Sequence, residues 1–235
     1  MDEMERQLTQ SFTLRMRDCD AHGRWKRSSL LKEMQELGED HSSVLGFSRA
    51  QLIGHGMCWV LYRLAFALYQ EPMMGEELAM TTWPGPIEGP LFPRYYAWQR
   101  GGALIGEAAT TWALFDIQKR RVLRPSMLPG DYAPCLRPSG LHLPGALSIG
   151  DMPLVETRRV RYTDLDANGH MNNARYADWI SDLLEGKDIR RLQINYVAEA
   201  RLGDQVALHL DANGMIAGLR QDGRTIFQAQ AALAE

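Results

Sequence analysis

Residues 15–24 read Arg15-Met16-Arg17-Asp18-Cys19-Asp20-Ala21-His22-Gly23-Arg24, and residues 161–170 read Arg161-Tyr162-Thr163-Asp164-Leu165-Asp166-Ala167-Asn168-Gly169-His170. At one constant offset Arg15, Asp18, Asp20, Ala21 and Gly23 meet Arg161, Asp164, Asp166, Ala167 and Gly169. Each copy follows a short run of strand character (Phe12–Met16, Glu156–Arg161) and precedes a run of helical character. This internal repeat organises the chain into two like halves.

Hydrophobic periodicity fills in each half. Leu30, Met34, Leu37, His41 and Val44 recur every three to four residues, which predicts a helix over Ser28–Leu45 capped by Ser28 or Ser29. Tyr176, Ile180 and Leu183 or Leu184 predict a second over Asn173–Leu184, capped by Asn172 or Asn173. Strands are expected at Met57–Tyr69, Glu77–Trp83, Tyr95–Arg100 and Leu104–Phe115, and again at Arg191–Val197, Gln205–Leu210, Met215–Arg220 and Thr225–Leu233. Gly101-Gly102, Asn213-Gly214 and Asp222-Gly223 are tight hairpin signals. Pro125, Pro129, Pro134, Pro138, Pro144 and Pro153 keep the stretch between the halves out of helix and central strand. The expected division is residues 1–124, a linker at 125–153, and residues 154–235. One helix can cover each sheet, and two sheets joined edge to edge hide their exposed strands.

Composition narrows the function classes. The 235 residues are 45% hydrophobic, enough for a full core. A net charge of -3 speaks against a chain-wide basic field for nucleic acid. Cys19, Cys58 and Cys135 have neither zinc nor disulfide spacing, so reduced thiols and a cytoplasmic location are expected. Met1–Arg6 is acidic and polar, unlike a secretory leader, and no apolar run approaches the roughly 20 residues of a membrane span.

The densest polar cluster is Asp164–Asn173. It opens like a calcium loop, but Arg175 stands where the bidentate Glu belongs. Asp, Asn and Gly are also ordinary turn residues. The catalytic reading is that a loop feeding a helix start offers free N–H groups to a carbonyl oxygen gaining charge. His170 could donate to that oxygen or pass a proton, Asn168 could orient water or the carbonyl, and Asp166 could fix its neighbours. The first copy has His22 for Asn168, Arg24 for His170 and Lys26-Arg27 for Asn172-Asn173. One equipped copy beside one stripped copy suggests one active site per chain. His41 reads as a helix-face core residue, and Trp59, Trp83, Trp98 and Trp112 as sheet and core residues.

The run Arg161 to Trp179, with Asp166, Asn168, His170, Asn172, Asn173, Tyr176 and Trp179 at its key positions, resembles the acyl-ACP thioesterase family of plant plastids and bacteria. Trp59-Val60-Leu61, Thr82-Trp83-Pro84, Trp112 to Asp116, Arg120-Arg121 and Arg124-Pro125 support it, and the likeness runs from about Phe12 to Leu233. The resemblance implies an α+β fold of two tandem hotdogs, each a long helix wrapped by a curved antiparallel sheet. It implies hydrolysis of acyl groups on acyl carrier protein, with Asp166, Asn168 and His170 catalytic and Glu199, in Tyr196-Val197-Ala198-Glu199, activating water. No cofactor or metal is called for. Asn172, Asn173, Trp59 and Met57 are expected at the substrate, with Met73 and Met74 as weaker candidates for an acyl tunnel in the first half. Plant members often carry Cys after this Glu; Ala200 stands here, so a thiol nucleophile at that position is excluded. Arg24-Lys26-Arg27 is the first candidate patch for docking the acidic carrier, ahead of Lys119–Arg124 and Lys187–Arg191. Rival expectations are an acyl-CoA thioesterase, a hydroxyacyl-thioester dehydratase and a non-catalytic acyl-binding module. The chain is expected as a monomer or homodimer.

Overall fold

Residues 6–234 are described by a computed structural model. The acidic N-terminal segment, Arg6 apart, lies outside the described residues. The alternating runs form β1 (Leu8–Thr13), β2 (Met57–Leu68), β3 (Glu77–Pro84), β4 (Leu91–Arg100), β5 (Ala103–Asp116), β6 (Arg121–Val122), β7 (Leu154–Arg159), β8 (Ile189–Tyr196), β9 (Gln205–Leu210), β10 (Met215–Arg220) and β11 (Thr225–Leu233). The helices are α1 (Arg27–Val44), α2 (Arg49–Gly54) and α3 (Arg175–Leu183). All strands join one antiparallel sheet in the order β1-β3-β4-β5-β2-β8-β11-β10-β9-β7, with β6 on β5.

Read inward from either end, that order is the same: β1, β3, β4, β5, β2 and β7, β9, β10, β11, β8. The halves meet where β2 pairs with β8, from Arg63 opposite Asn195 to Ala67 opposite Arg191. Each half thereby covers the other's open edge. Leu30, Leu31, Met34 and Leu37 of α1 and Tyr176, Ile180 and Leu183 of α3 share one core with Leu64, Phe66, Leu192 and Ile194. Each such fully buried Leu, Ile or Phe contributes about 1.5–3 kcal/mol.

Several local expectations change. β1 and β7 stop early because Arg15 and Arg161 open short 3-10 turns, where Asp18 and Asp164 accept their backbone N–H at 3.0 and 2.8 Å. α3 has 9 residues against 18 in α1, so the second half lacks a long helix. Its N-cap is Ala174; Asn172 acts from outside, its Oδ1 accepting from Ala174 N at 2.8 Å. β4 begins before Pro93, which lacks an N–H for the ladder. Gly85 N donates to Pro93 O, and the Tyr132 hydroxyl supplies Gly85 O at 2.9 Å in place of that missing donor. α2 was not anticipated, although Ser48 and Gln51 form a reciprocal capping box.

The proline-rich stretch is strapped over the sheet. Cys135 N donates to Pro84 O at 2.8 Å, Gly140 N to the Glu107 carboxylate at 2.9 Å, and Gln193 Nε2 to Gly145 O at 2.7 Å. It thus ties β3, β5 and β8 together as it passes between the halves. Among the described residues no helix is long and apolar enough to cross a membrane.

Candidate active site

Asp166 builds the loop that carries the motif. Its Oδ1 accepts from Asn168 N at 2.7 Å and its Oδ2 from Asn168 Nδ2 at 3.3 Å. Its own N–H donates to His170 O at 2.9 Å, and Gly169, at φ 76, makes the left-handed reversal that glycine permits. Met171 N then donates to Ala200 O at 2.8 Å, and His170 bridges to Arg201. That docking brings His170 Nε2 to 3.2 Å from Glu199 Oε2.

Three cationic or proton-bearing groups converge on the same Glu199 oxygen. Arg201 reaches it at 3.0 Å and Arg120, on a turn of the first half, at 3.4 Å. Burial pushes the Glu199 carboxyl up, but the Arg201 hydrogen bond and the charges of His170 and Arg120 outweigh it and hold the carboxyl below its ordinary value. Glu199 therefore stays ionised, with His170 Nε2 at ion-pair distance from it.

The motif also touches the first half through Asn168, whose Oδ1 accepts from Arg49 at 2.9 Å. Arg49 N in turn donates to Glu39 at 2.8 Å, and Glu39 stands on the wall of a cavity of about 90 Å³. Phe47, Trp59, Phe92, Trp112, Tyr132 and Arg94 also line it. Trp59 donates from Nε1 to Phe47 O at 3.2 Å, which fixes its ring against the cavity. Met57 packs on the same aromatic cluster.

Other expected residues take different places. Met73 and Met74 are exposed beside Gly23 and away from the cavity. Asn173 offers its carbonyl to the Tyr196 hydroxyl at 3.1 Å. The N–H groups of Ala174 and Arg175, expected to face a reacting oxygen, are taken by the Asn172 side chain and carbonyl. Of the Arg24-Lys26-Arg27 patch, only Lys26 is exposed. Arg27 is buried in ion pairs, Arg24 is bound to Asp20 and Gly186 O, and Lys26 donates to Arg17 O.

Arg49, Arg120, Arg201 and Cys58 escaped sequence reasoning, because their approach to the motif depends on how the strands and halves dock. Burial pushes the Cys58 thiol up, the charge of Glu199 adds to this, and Arg49 opposes it. Cys58 is thus a protonated thiol within electrostatic reach of the site, not an activated nucleophile.

Two family models match the chain: acyl-ACP thioesterase N-terminal domain over residues 5–127, and acyl-ACP thioesterase C-terminal domain over residues 151–231. An acyl-[acyl-carrier-protein] hydrolase of Cuphea viscosissima chloroplasts is 26% identical over 80% of this chain and 50% of its own. A chloroplastic palmitoyl-acyl carrier protein thioesterase of Cuphea hookeriana is 20% identical over 81% of this chain and 51% of its own. The chain thus spans about half the length of the curated relatives it matches. The crystal structure of an acyl-ACP thioesterase from Bacteroides thetaiotaomicron superposes with a TM-score of 0.92, at 26% identity and 100% coverage of both chains. A 12:0-ACP thioesterase from Umbellularia californica shares the fold, with a TM-score of 0.77, 16% identity and 97% coverage of both.

Proposed function

The chain belongs to the acyl-ACP thioesterase family, and from that premise we propose that it hydrolyses acyl thioesters on acyl carrier protein and releases the free fatty acid. The observation that carries this reading is the 3.2 Å pair of His170 Nε2, on the loop that also carries Asn168, and Glu199 Oε2. A thioester is already an activated acyl group, so a base, a water and a place for the carbonyl suffice.

In this reading Glu199 holds the imidazole and His170 Nδ1 takes the proton. A carboxylate kept below its ordinary range is a weak base, whereas an oriented imidazole can both take and return a proton. Water attacks the carbonyl carbon as Nδ1 removes its proton. The carbon–sulfur bond then breaks, and the imidazolium returns the proton to the departing thiolate, giving acid and thiol. Asp166 sets the posture of Asn168, which steadies the water or the carbonyl. In this reading the first half supplies most of the acyl cavity, the 125–153 linker adds Tyr132 to its wall, and the second half carries the catalytic residues. One chain holds both halves of the site, so a monomer is complete, and unpaired Cys19, Cys58 and Cys135 suit the reducing cytoplasm.

The test is thiol release from acyl-ACP and, side by side, from the matching acyl-CoA. Faster release from the carrier protein is expected. A preference for CoA would move the assignment to an acyl-CoA thioesterase, and an enoyl thioester as product would move it to a dehydratase.

A further inference from the structure

The cavity between α1 and the first half of the sheet is walled by the rings of Phe47, Trp59, Phe92, Trp112 and Tyr132, yet it holds the cation of Arg94. The guanidinium donates to His41 Nδ1 at 3.0 Å, to Thr82 Oγ1 at 3.2 Å and to Ser42 Oγ at 3.2 Å. Among the described residues no carboxylate pairs with it, and Glu39, on the same wall, is turned to the N–H of Arg49. A guanidinium carries five N–H groups, so its Nε–H and one terminal N–H are left for a ligand.

Topology sets the depth of this group. Trp59 lies on β2, the strand that joins the motif half, and Arg94 lies on β4, beyond β5. Two strand spacings place it about 10 Å further in. The helix is shaped to keep it there. A Cβ at Gly38 would fall 2.7 Å from the Tyr96 hydroxyl and 3.7 Å from Arg94 Cδ, so α1 approaches both because position 38 is glycine.

We propose that this cavity is a subsite for acyl chains bearing a hydrogen-bond-accepting oxygen remote from the thioester, and that Arg94 reads that oxygen. A methyl-ended chain pressed into the cavity strips water from the guanidinium and returns nothing, which is costly for a charge. A hydroxyl, keto or carboxylate oxygen restores the lost bond, and an Arg fork suits it. The inference rests on the hydrolase reading only for the ligand being an acyl chain.

The test titrates the full chain with three free acids of one length, unsubstituted, hydroxylated near the far end, and dicarboxylic, and measures each dissociation constant by calorimetry. The oxygenated acids are expected to bind at least about tenfold tighter, the scale of one charge-assisted hydrogen bond. The hydroxy and dicarboxylic arms separate a neutral acceptor from an anion. Arg94→Met should erase or reverse the ratio, and Arg94→Lys should keep part of it. Equal or tighter binding of the unsubstituted acid by the unaltered chain overturns the proposal, and this comparison stands even if Arg94→Met fails to fold. An unchanged ratio in folded Arg94→Met overturns it too. The same acyl groups are then offered as thioesters. A binding ratio without cleavage keeps the subsite and removes the hydrolase reading; cleavage without a ratio does the reverse.

Discussion

In the first half Asp20 N donates to Arg24 O at 2.9 Å and Gly23 turns at φ 74; in the second, Asp166 N donates to His170 O at 2.9 Å and Gly169 turns at φ 76. Trp25 N is held by Pro72 O as Met171 N is held by Ala200 O. That register sets Glu71 where Glu199 stands. The backbones agree and the side chains do not. Arg27, at the position of Asn173, donates to both oxygens of Glu71, to Asp188, and to the carbonyls of Trp25 and Ile189. Arg24, at the position of His170, reaches Gly186 O at 2.6 Å. The first copy has become a brace gripping residues 186–189 of the other half. The second copy reaches across through exposed pairs, Arg49 to Asn168 and Arg120 to Glu199. The two acids show the consequence. Burial pushes Glu71 above its ordinary value although Arg27 opposes it, whereas Glu199 is held below. One loop geometry thus serves either cohesion or chemistry, depending on whether its side chains fill the space in front of it.

The contrast is easiest to break at His170. His170→Ala should lower kcat by about 100- to 10,000-fold with little change in melting temperature. A comparable loss in Arg24→Ala, at the matching position, would deny that the copies differ in role. Next in size is the brace. Arg27→Ala strips buried Glu71 of its bidentate partner, leaving only the longer contact with Arg190, and should cost about 3 kcal/mol in denaturant unfolding, while the folded fraction keeps its turnover. The smallest effect sharpens the role of Glu199. Because its carboxyl is held below the ordinary value, the ionised form that holds the imidazole persists to lower pH, and Glu199 itself is neutralised only as pH drops through that lowered value. Arg201→Gln removes the principal hydrogen bond that lowers it. The acid limb of kcat/KM should move to higher pH by under about one unit, with the rate at pH 8 little changed. A shift to lower pH would contradict the assignment.

Local features were legible in the chain. The period of Leu30, Met34 and Leu37 places α1, and the Asp166, Asn168, His170 spacing places the loop, because both depend on near neighbours. The Ser48–Gln51 box was also written there and went unread. The β2–β8 joint was not legible, since neither strand's alternation names its partner. Arg49 and Arg120 reach the motif only across that joint, so no spacing points to them. Glu199 could be found only by family resemblance, being an ordinary acid in a loop until the Met171–Ala200 hydrogen bond docks it. Arg24 and Arg27 are drawn out of their surface patch partly by the same docking, since Gly186, Asp188 and Ile189 of the other half take up N–H groups of both.

The central claim is that one copy works and the other holds, and the pair Glu199→Gln and Glu71→Gln tests it most directly. Thiol release from acyl-ACP, normalised to folded protein, should fall at least about 100-fold in Glu199→Gln. It should stay within a few-fold of the unaltered chain in Glu71→Gln, whose deficit should register in stability. Unchanged turnover in Glu199→Gln, or equal losses in two equally folded variants, would contradict it.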